Sequence, residues 1–289
     1  MRRFELAQPA TVGEACAILA ADPSARPIAG GTALLILIKL GLVRPGLLVS
    51  LRKLHPPAGI TWTPAEGARI AAQCTLQEVV DSPIVREHYP ILARACEVVA
   101  NIRIRNAATI GGNLAHVDPQ SDPPPALLAL EARIEISGVT STRTSPLADF
   151  LRGAYETDLR PGEIVTGILL PPPPAGSRST YLKFTSRSSE DRPLASLATV
   201  VRVSEGVCQD VRIAVGAAAA VPKRMRGAEE KLRGRPLEQP LVAEVADLVA
   251  ADIEPIEDLN GDQRYKRAVI RSLVLRALDP AESEGTPST

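Results

Sequence analysis

Two short segments with paired glycines are the residues of this chain best suited to binding a ligand. They are Ala29-Gly30-Gly31-Thr32-Ala33 and Thr109-Ile110-Gly111-Gly112-Asn113. Glycine has no Cβ, so the backbone N–H groups of such segments can approach a ligand closely. Successive N–H groups that turn inward form a nest for phosphate oxygens. Two nests about eighty residues apart in the chain would suit one ligand with two phosphates, and the pattern therefore favours a dinucleotide.

The surroundings of the glycines favour binding over ordinary tight turns, the simpler interpretation of either pair alone. Residues 27–29 predict a buried strand, after which Thr32 can cap the apolar run 33–43, which predicts a buried helix. The second pair follows the polar stretch 101–106, and a polar loop over residues 113–122 leads into a helix opened by three prolines. Burying so many hydrogen-bonding groups is costly without a polar partner, which a bound cofactor would supply.

Composition argues against nucleic-acid binding and against membrane insertion. The 33 Lys and Arg residues balance 33 Asp and Glu residues, and aromatic residues make up only 3% of the chain. Neither a basic field nor a set of base-stacking platforms is therefore present. The longest apolar run contains Lys39 and is too short to span a bilayer, and the N-terminus lacks the apolar core of a signal peptide. The sequence predicts a soluble, cytoplasmic protein without a transmembrane segment.

Few side chains are available for chemistry of the chain's own. The four cysteines and three histidines are scattered over the sequence: Cys16, Cys74, Cys96, Cys208, His55, His88 and His116. Their spacing predicts buried thiols and no metal site. His116 is better interpreted as a loop-ordering residue than as a catalytic acid or base. The common nucleotide-binding and hydrolase motifs are missing from the sequence, so reactive chemistry would come from a cofactor.

Hydrophobic periodicity divides the chain at the proline run 171–174, which cannot continue a sheet. The predicted helices cover residues 12–21, 90–99, 126–132, 225–233, 241–251 and 264–278, and the predicted strands cover 47–50, 68–72, 133–137, 164–170, 180–186, 197–203 and 211–216. The small, polar residues at the C-terminus predict a disordered tail.

Several segments, in this order and at this spacing, match one known family. They are residues 28–35, 104–114, 118–130, 162–166, 181–184 and 258–261. Through them the chain resembles the FAD-binding medium subunit of molybdenum hydroxylases, the family of carbon monoxide dehydrogenase and xanthine dehydrogenase. The resemblance spans nearly the whole length, and residues 106–114 carry its most specific part.

The resemblance implies an α+β fold. A vanillyl-alcohol-oxidase (PCMH)-type FAD-binding domain of two subdomains would occupy residues 1–175. A C-terminal domain with a three-stranded antiparallel sheet and helices would occupy residues 176–280, followed by a disordered tail over 281–289.

The resemblance also implies roles for individual residues. Ala29, Gly30, Gly31, Thr32 and Ala33 would wrap the pyrophosphate of FAD through backbone N–H groups, and Thr32 would add a hydroxyl. The set Thr109, Ile110, Gly111, Gly112 and Asn113 would hold the other side of the diphosphate and the ribityl chain. Asp122 would bind polar groups of FAD. Lys183 would lie near the flavin and favour its anionic reduced form; the alternative is a surface lysine lying along a strand.

The chain departs from the family pattern at two places. Ala33 stands where serine or aspartate is usual, so one side-chain hydrogen bond to FAD would be missing. Some members place an aromatic residue over the flavin ring, whereas the nearest candidates here are Asp191 and Arg192. The sequence therefore leaves open which side chain, if any, shields the flavin ring.

The function implied by the resemblance is electron relay. A large molybdopterin-binding subunit would oxidise the substrate, and a small 2Fe-2S subunit would pass the electrons to this FAD and on to a terminal acceptor. The chain would need no catalytic residue and no metal of its own, and it would self-associate within a heterohexamer. Two alternatives remain, a self-sufficient flavin-dependent oxidase or dehydrogenase and a flavin-free scaffold subunit.

Overall fold

The computed structural model describes residues 3–54, 59–259 and 261–279. The predicted tail and His55 lie outside these residues. The chain forms two compact units, each assembled from separate stretches of sequence. The first unit contains the chain up to His88 with Ala100–Asp118 and Glu131–Pro172, and the second contains Tyr89–Val99, Pro119–Leu130 and the chain from Pro173 onward.

Helices and strands alternate through both units. The helices are α1 (Val12–Ala21), α2 (Leu34–Lys39), α3 (Leu76–Asp81), α4 (Pro83–His88), α5 (Pro90–Glu97), α6 (Ile102–Arg105), α7 (Ile110–His116), α8 (Pro123–Ala129), α9 (Leu147–Phe150), α10 (Arg226–Leu232), α11 (Gln239–Asp252) and α12 (Gln263–Ala277). The strands are β1 (Glu5–Ala7), β2 (Arg26–Ile28), β3 (Leu47–Ser50), β4 (Ile60–Thr63), β5 (Gly67–Ala71), β6 (Arg133–Ser137), β7 (Thr142–Pro146), β8 (Leu151–Gly153), β9 (Glu156–Thr157), β10 (Ile164–Leu170), β11 (Arg178–Phe184), β12 (Ala195–Ser204), β13 (Val207–Gly216) and β14 (Lys223–Arg224).

The first unit contains a small parallel sheet and a larger antiparallel one. The parallel sheet has the order β1-β3-β2, and the antiparallel sheet has the order β4-β5-β10-β6-β7. One face of the larger sheet is core, with Ile70, Ile134 and Ile168 fully buried. On β10, a Cβ at Gly167 would lie 2.0 Å from Glu135 Oε2. A side chain at this position would displace the Glu135 carboxylate, which accepts a 2.7 Å hydrogen bond from Arg69 Nε.

The second unit packs helices against the antiparallel sheet β11-β12-β13-β14. Three long strands agree with the expected three-stranded sheet, and the two-residue β14 adds a short fourth strand at its edge. Every residue of α8 is buried. This helix approaches β13 so closely that a Cβ at Gly216 would lie 2.4 Å from Pro125 Cγ.

Periodicity located most elements correctly and failed near the glycine segments. Residues 12–21, 47–50, 133–137 and 164–170 form the predicted elements. The buried helix expected over 33–43 is wrong, because α2 stops at Lys39, before a left-handed Gly41 with φ +74°, and only Ile38 in it is buried. The polar stretch 101–106 contains α6, and the second glycine pair lies inside α7, so the polar loop expected over residues 113–122 begins only after His116. Within the described ranges, no helix is long and apolar enough to cross a membrane.

A buried ion pair fixes β14 and α10 in the second unit. Arg224 Nε and Nη2 donate to the two oxygens of Glu229 at 2.6 and 2.8 Å, and Arg224 Nη1 donates to the Leu128 carbonyl at 3.2 Å. Glu229 is fully buried and also accepts from the Ile213 N–H at 2.8 Å.

Replacing Arg224 by Met should destabilise the chain by about 3–5 kcal/mol, because it leaves the Glu229 carboxylate buried without its main counter-ion. The matched control is Arg226→Met, since Arg226 Nη1 lies 3.7 Å from the same carboxylate on a side chain that is 60% exposed. The control should lose less than about 1 kcal/mol. Urea unfolding measures both, and equal losses would contradict this assignment.

Candidate functional site

The two glycine segments lie against each other in the first unit. A Cβ at Gly30 would lie only 1.9 Å from the carbonyl oxygen of Ala107, so the loop between β2 and α2 touches the backbone that precedes α7. A Cβ at Gly112 would lie 3.9 Å from that of Ala29. The structure therefore brings together the two segments that the sequence singled out.

The first segment offers a row of unused backbone donors. Among the described residues, no hydrogen bond uses the N–H of Gly30, Gly31, Thr32 or Ala33. Gly31 has φ +73°, a left-handed conformation that glycine adopts without strain. These residues are half-buried, so the N–H groups line a sheltered loop, which is the nest predicted for phosphate oxygens.

The expected capping of α2 by Thr32 is wrong. The residue at the cap position is Ala33, whose backbone is already helical and whose side chain has no acceptor. The start of α2 consequently has no side-chain cap. The N–H groups of Leu35 and Ile36 donate instead to the carbonyls of Gly31 and Ala33, both at 3.0 Å.

The expected second nest is also wrong, because the N–H groups of the second segment are used inside the protein. Ile110 and Gly111 donate to the carbonyls of Cys74 and Ala72, both at 2.9 Å. Gly112 donates to Thr109 Oγ1 at 3.1 Å, so Thr109 caps α7.

The glycines of α7 have different surroundings. A Cβ at Gly111 would lie 2.5 Å from that of Ala72, so this glycine is required for packing. Gly112, in contrast, is exposed, so the Gly112 side of α7 is the side that a ligand can approach.

In the second unit, Asp122 and Lys183 form a buried pair. Lys183 Nζ donates to Asp122 Oδ2 at 3.1 Å and to the Val98 carbonyl at 2.8 Å. The Tyr181 hydroxyl donates to Asp122 Oδ1 at 2.7 Å. Asp122 precedes α8 but does not cap it with its side chain, since both carboxylate oxygens accept from β11.

Burial dominates the electrostatics of this pair. It raises the pKa of Asp122 to about 6, although the Lys183 charge and the Tyr181 hydrogen bond act in the opposite direction. Burial, followed by the Asp122 charge, raises the pKa of Tyr181 well above its ordinary value. The side chain of Lys183 is only 8% exposed, so the interpretation as a surface lysine is wrong. An ammonium has three donors, so Lys183 keeps one for a further acceptor.

Sequence reasoning missed Tyr181, which donates to Asp122, and the Val98 carbonyl, which accepts from Lys183. Tyr181 could have been found, because it lies two residues before Lys183 on a strand and therefore on the same face. The Val98 carbonyl leaves no signal in the sequence.

Asp191 and Arg192 lie in the turn between β11 and β12. Asp191 Oδ2 accepts from the Ser188 N–H at 3.2 Å and lies 3.6 Å from Arg187 Nε, so it orders its own turn. Arg192 is exposed. Their placement near a flavin ring stays a prediction.

The residues with placed side chains include no group of three or more His, Cys, Asp or Glu residues that could hold a metal. The cysteines of the described chain are all buried, and none of them forms a disulfide: Cys16, Cys74, Cys96 and Cys208. His116 is the last residue of α7 and contacts the ring of Tyr155 with centroids 5.1 Å apart.

Comparison with known proteins covers nearly the whole chain. Residues 2–173 match the family described as the FAD binding domain in molybdopterin dehydrogenase, and residues 180–281 match the CO dehydrogenase flavoprotein C-terminal domain. The carbon monoxide dehydrogenase medium chain of Hydrogenophaga pseudoflava is 35% identical over 282 residues, covering 96% of this chain and 97% of that protein. The nicotine 6-hydroxylase medium subunit of Paenarthrobacter nicotinovorans is 33% identical, covering 94% and 95%.

A solved structure agrees with these sequence matches. The carbon monoxide dehydrogenase from Hydrogenophaga pseudoflava that lacks the Mo-pyranopterin moiety of its molybdenum cofactor superposes with a TM-score of 0.94. It covers 99% of both chains at 35% identity.

The pKa of Asp122 gives a testable pH dependence of stability. Its ordinary value is 3.8 and its folded value is about 6, so between these values the folded chain binds more protons than the unfolded chain. The free energy of unfolding should therefore fall by up to about 3 kcal/mol as pH rises through this window, and then level off. Asp122→Asn, measured by urea unfolding at a series of pH values, should lack this component. Parallel pH profiles for the two proteins would contradict the assignment.

Proposed function

Because the chain belongs to the family of FAD-binding medium subunits of molybdenum hydroxylases, we propose that it relays electrons within such a complex. A large molybdopterin-binding subunit oxidises the substrate, and the iron–sulfur clusters of a small 2Fe-2S subunit deliver the electrons to this chain. Bound FAD supplies the redox chemistry, since no side chain can collect electrons singly and release them in pairs. The observation that carries the proposal is the row of free N–H groups over residues 30–33.

The residues of the first unit fit the diphosphate of FAD. The N–H groups of residues 29–33 donate to its oxygens, and the Thr32 hydroxyl adds a donor. Residues 109–113 pack against this loop and support it. Because Gly112 is exposed and has no side chain, the cofactor can lie close to this side of α7. Consecutive N–H donors without partners in the chain would be costly to shelter unless an anion used them.

The residues of the second unit supply charge and polar contacts. Asp122 holds Lys183 in place, and Lys183 offers its remaining donor and its positive charge to the cofactor. A fixed cation favours an anionic reduced flavin. The chain's own residues thus bind, orient and tune the cofactor, and none is needed as a catalytic acid or base.

We also propose the wider organisation that this role implies. The flavin-binding domain covers residues 1–175 and the C-terminal domain covers residues 176–280, in agreement with the two family matches. Two copies of each of three subunits form a heterohexamer. The buried cysteines, none of which forms a disulfide within the described chain, suit a reducing cytoplasm.

Electron delivery can be tested with the FAD-loaded chain and the small iron–sulfur subunit. The small subunit is reduced chemically, freed of reductant and mixed anaerobically with this chain, while loss of the oxidised-flavin absorbance is followed by stopped flow. We expect rapid bleaching that requires the small subunit. Turnover of a substrate by the chain alone would favour the self-sufficient enzyme, and failure to take up FAD would favour the scaffold.

Gly31→Ala should weaken FAD binding by about tenfold. A left-handed conformation costs a residue with a Cβ about 1–2 kcal/mol, so the free loop would relax and binding would have to restore its shape. The Cβ itself would meet only the movable side chains of Ile28 and Leu35, both at 3.2 Å.

The matched control for Gly31→Ala is Gly41→Ala. Gly41 has nearly the same φ, +74°, but lies beyond α2, with Arg44 Nη2 at 3.9 Å from the added Cβ as its nearest contact. It should lose similar stability and keep its FAD affinity in fluorescence titrations. An equal loss of affinity in both variants would show that general strain, not the loop, controls binding.

A further inference from the structure

The helix that follows the glycine loop is apolar and largely unburied. Of the residues of α2, only Ile38 is buried. The side chains of Ile36, Leu40 and Leu42 are 55%, 69% and 71% exposed, and we call these three residues the apolar patch. Ile36 and Leu40 are spaced by four residues and share a side of the helix. A helix that is apolar on all sides is normally buried. The exposed side of α2 therefore indicates a contact with a partner.

A groove lies beside the apolar patch. It has a volume of about 250 Å³, and its lining comprises Phe4, Ile38, Lys39, Leu40, Gly41, Val43, Arg44 and Pro45. Lys39 and Arg44 are the charged residues in this lining. Neither forms an ion pair within the described residues, and Arg44 Nε only donates to the Gly41 carbonyl at 3.1 Å. The groove therefore has a mixed lining, in which the basic side chains of Lys39 and Arg44 form the rim beside the apolar patch.

The local sequence reinforces the positive charge of this region. Residues 23–65 contain no Asp or Glu, but they contain five basic residues: Arg26, Lys39, Arg44, Arg52 and Lys53. The chain as a whole is neutral. Lys39 and Arg44 thus lie in a stretch of sequence that is strongly biased towards basic residues, and their charges are complementary to an acidic surface.

We propose that the apolar patch and its basic rim form the docking surface for the small iron–sulfur subunit, through an apolar centre rimmed by Asp and Glu on that partner. The assignment rests on the proposed function, which requires this partner. It is favoured because α2, about 9 Å long, begins directly at the loop proposed to hold the diphosphate of FAD, so a partner bound to this helix lies next to the cofactor.

A second copy of this chain is a poorer occupant. Two copies related by a two-fold axis would present the same patch to each other, which would bring the positive charges of Lys39 and Arg44 on one copy towards those on the other. Like charges across such a contact are repulsive and suppress the pairing. The charge pattern therefore selects a different, acidic chain.

Binding measurements between the FAD-loaded chain and the isolated small subunit test this proposal. The double variant Leu40→Ser with Leu42→Ser and the variant Lys39→Glu should each weaken binding by about tenfold or more. Leu248→Ser and Arg202→Glu change an exposed leucine and an exposed arginine of the second unit, and these controls should bind normally. Wild-type affinity should fall as salt is raised.

The remaining outcomes separate this proposal from the proposed function. Normal small-subunit affinity in both patch variants would overturn the docking surface, as would selective loss of the large subunit or of self-association. FAD content and circular dichroism of each variant should match wild type. A wild-type chain that binds the small subunit through this patch but retains no FAD would keep the docking surface and overturn the relay.

Discussion

The close approach of Gly30 to the Ala107 carbonyl is the constraint on which the candidate site depends. Any side chain at Gly30 would lie within 1.9 Å of that oxygen, so the loop after β2 touches the backbone before α7 only because this residue is glycine. The contact holds this loop in a shape in which the N–H groups of residues 30–33 have no acceptor among the described residues. Binding capacity in the first unit therefore follows from one steric requirement.

The two glycine pairs turn out to have different tasks. The N–H groups of Ile110 and Gly111 are bonded to carbonyls of the segment 72–74, so α7 is a rigid support. The loop 29–33 is the part with unused donors. Because the loop is held by a rigid support, its N–H donors are already in place for an anion. The loop then needs no reorganisation when the anion binds.

Periodicity predicted the regular elements well, because burial of alternate residues in β6 or of one face of α1 is visible in the sequence. It could not predict which N–H groups stay free, since this depends on partners such as Ala72 that are distant in sequence. Asp122 and Lys183 were recognised through family resemblance, but their mutual ion pair and the Val98 contact emerged only from the fold. The prediction for residues 33–43 was wrong because an apolar helix is expected inside a core, whereas α2 is largely exposed.

Amide hydrogen exchange in the presence and absence of FAD tests the central claim most directly. A peptide covering residues 30–33 should exchange fast without FAD and become protected when FAD binds, because its N–H groups then gain acceptors. A peptide covering Gly111 and Gly112 should be protected in both states, since its N–H groups are bonded within the chain. Stoichiometric FAD binding with unchanged exchange over residues 30–33 would contradict the account.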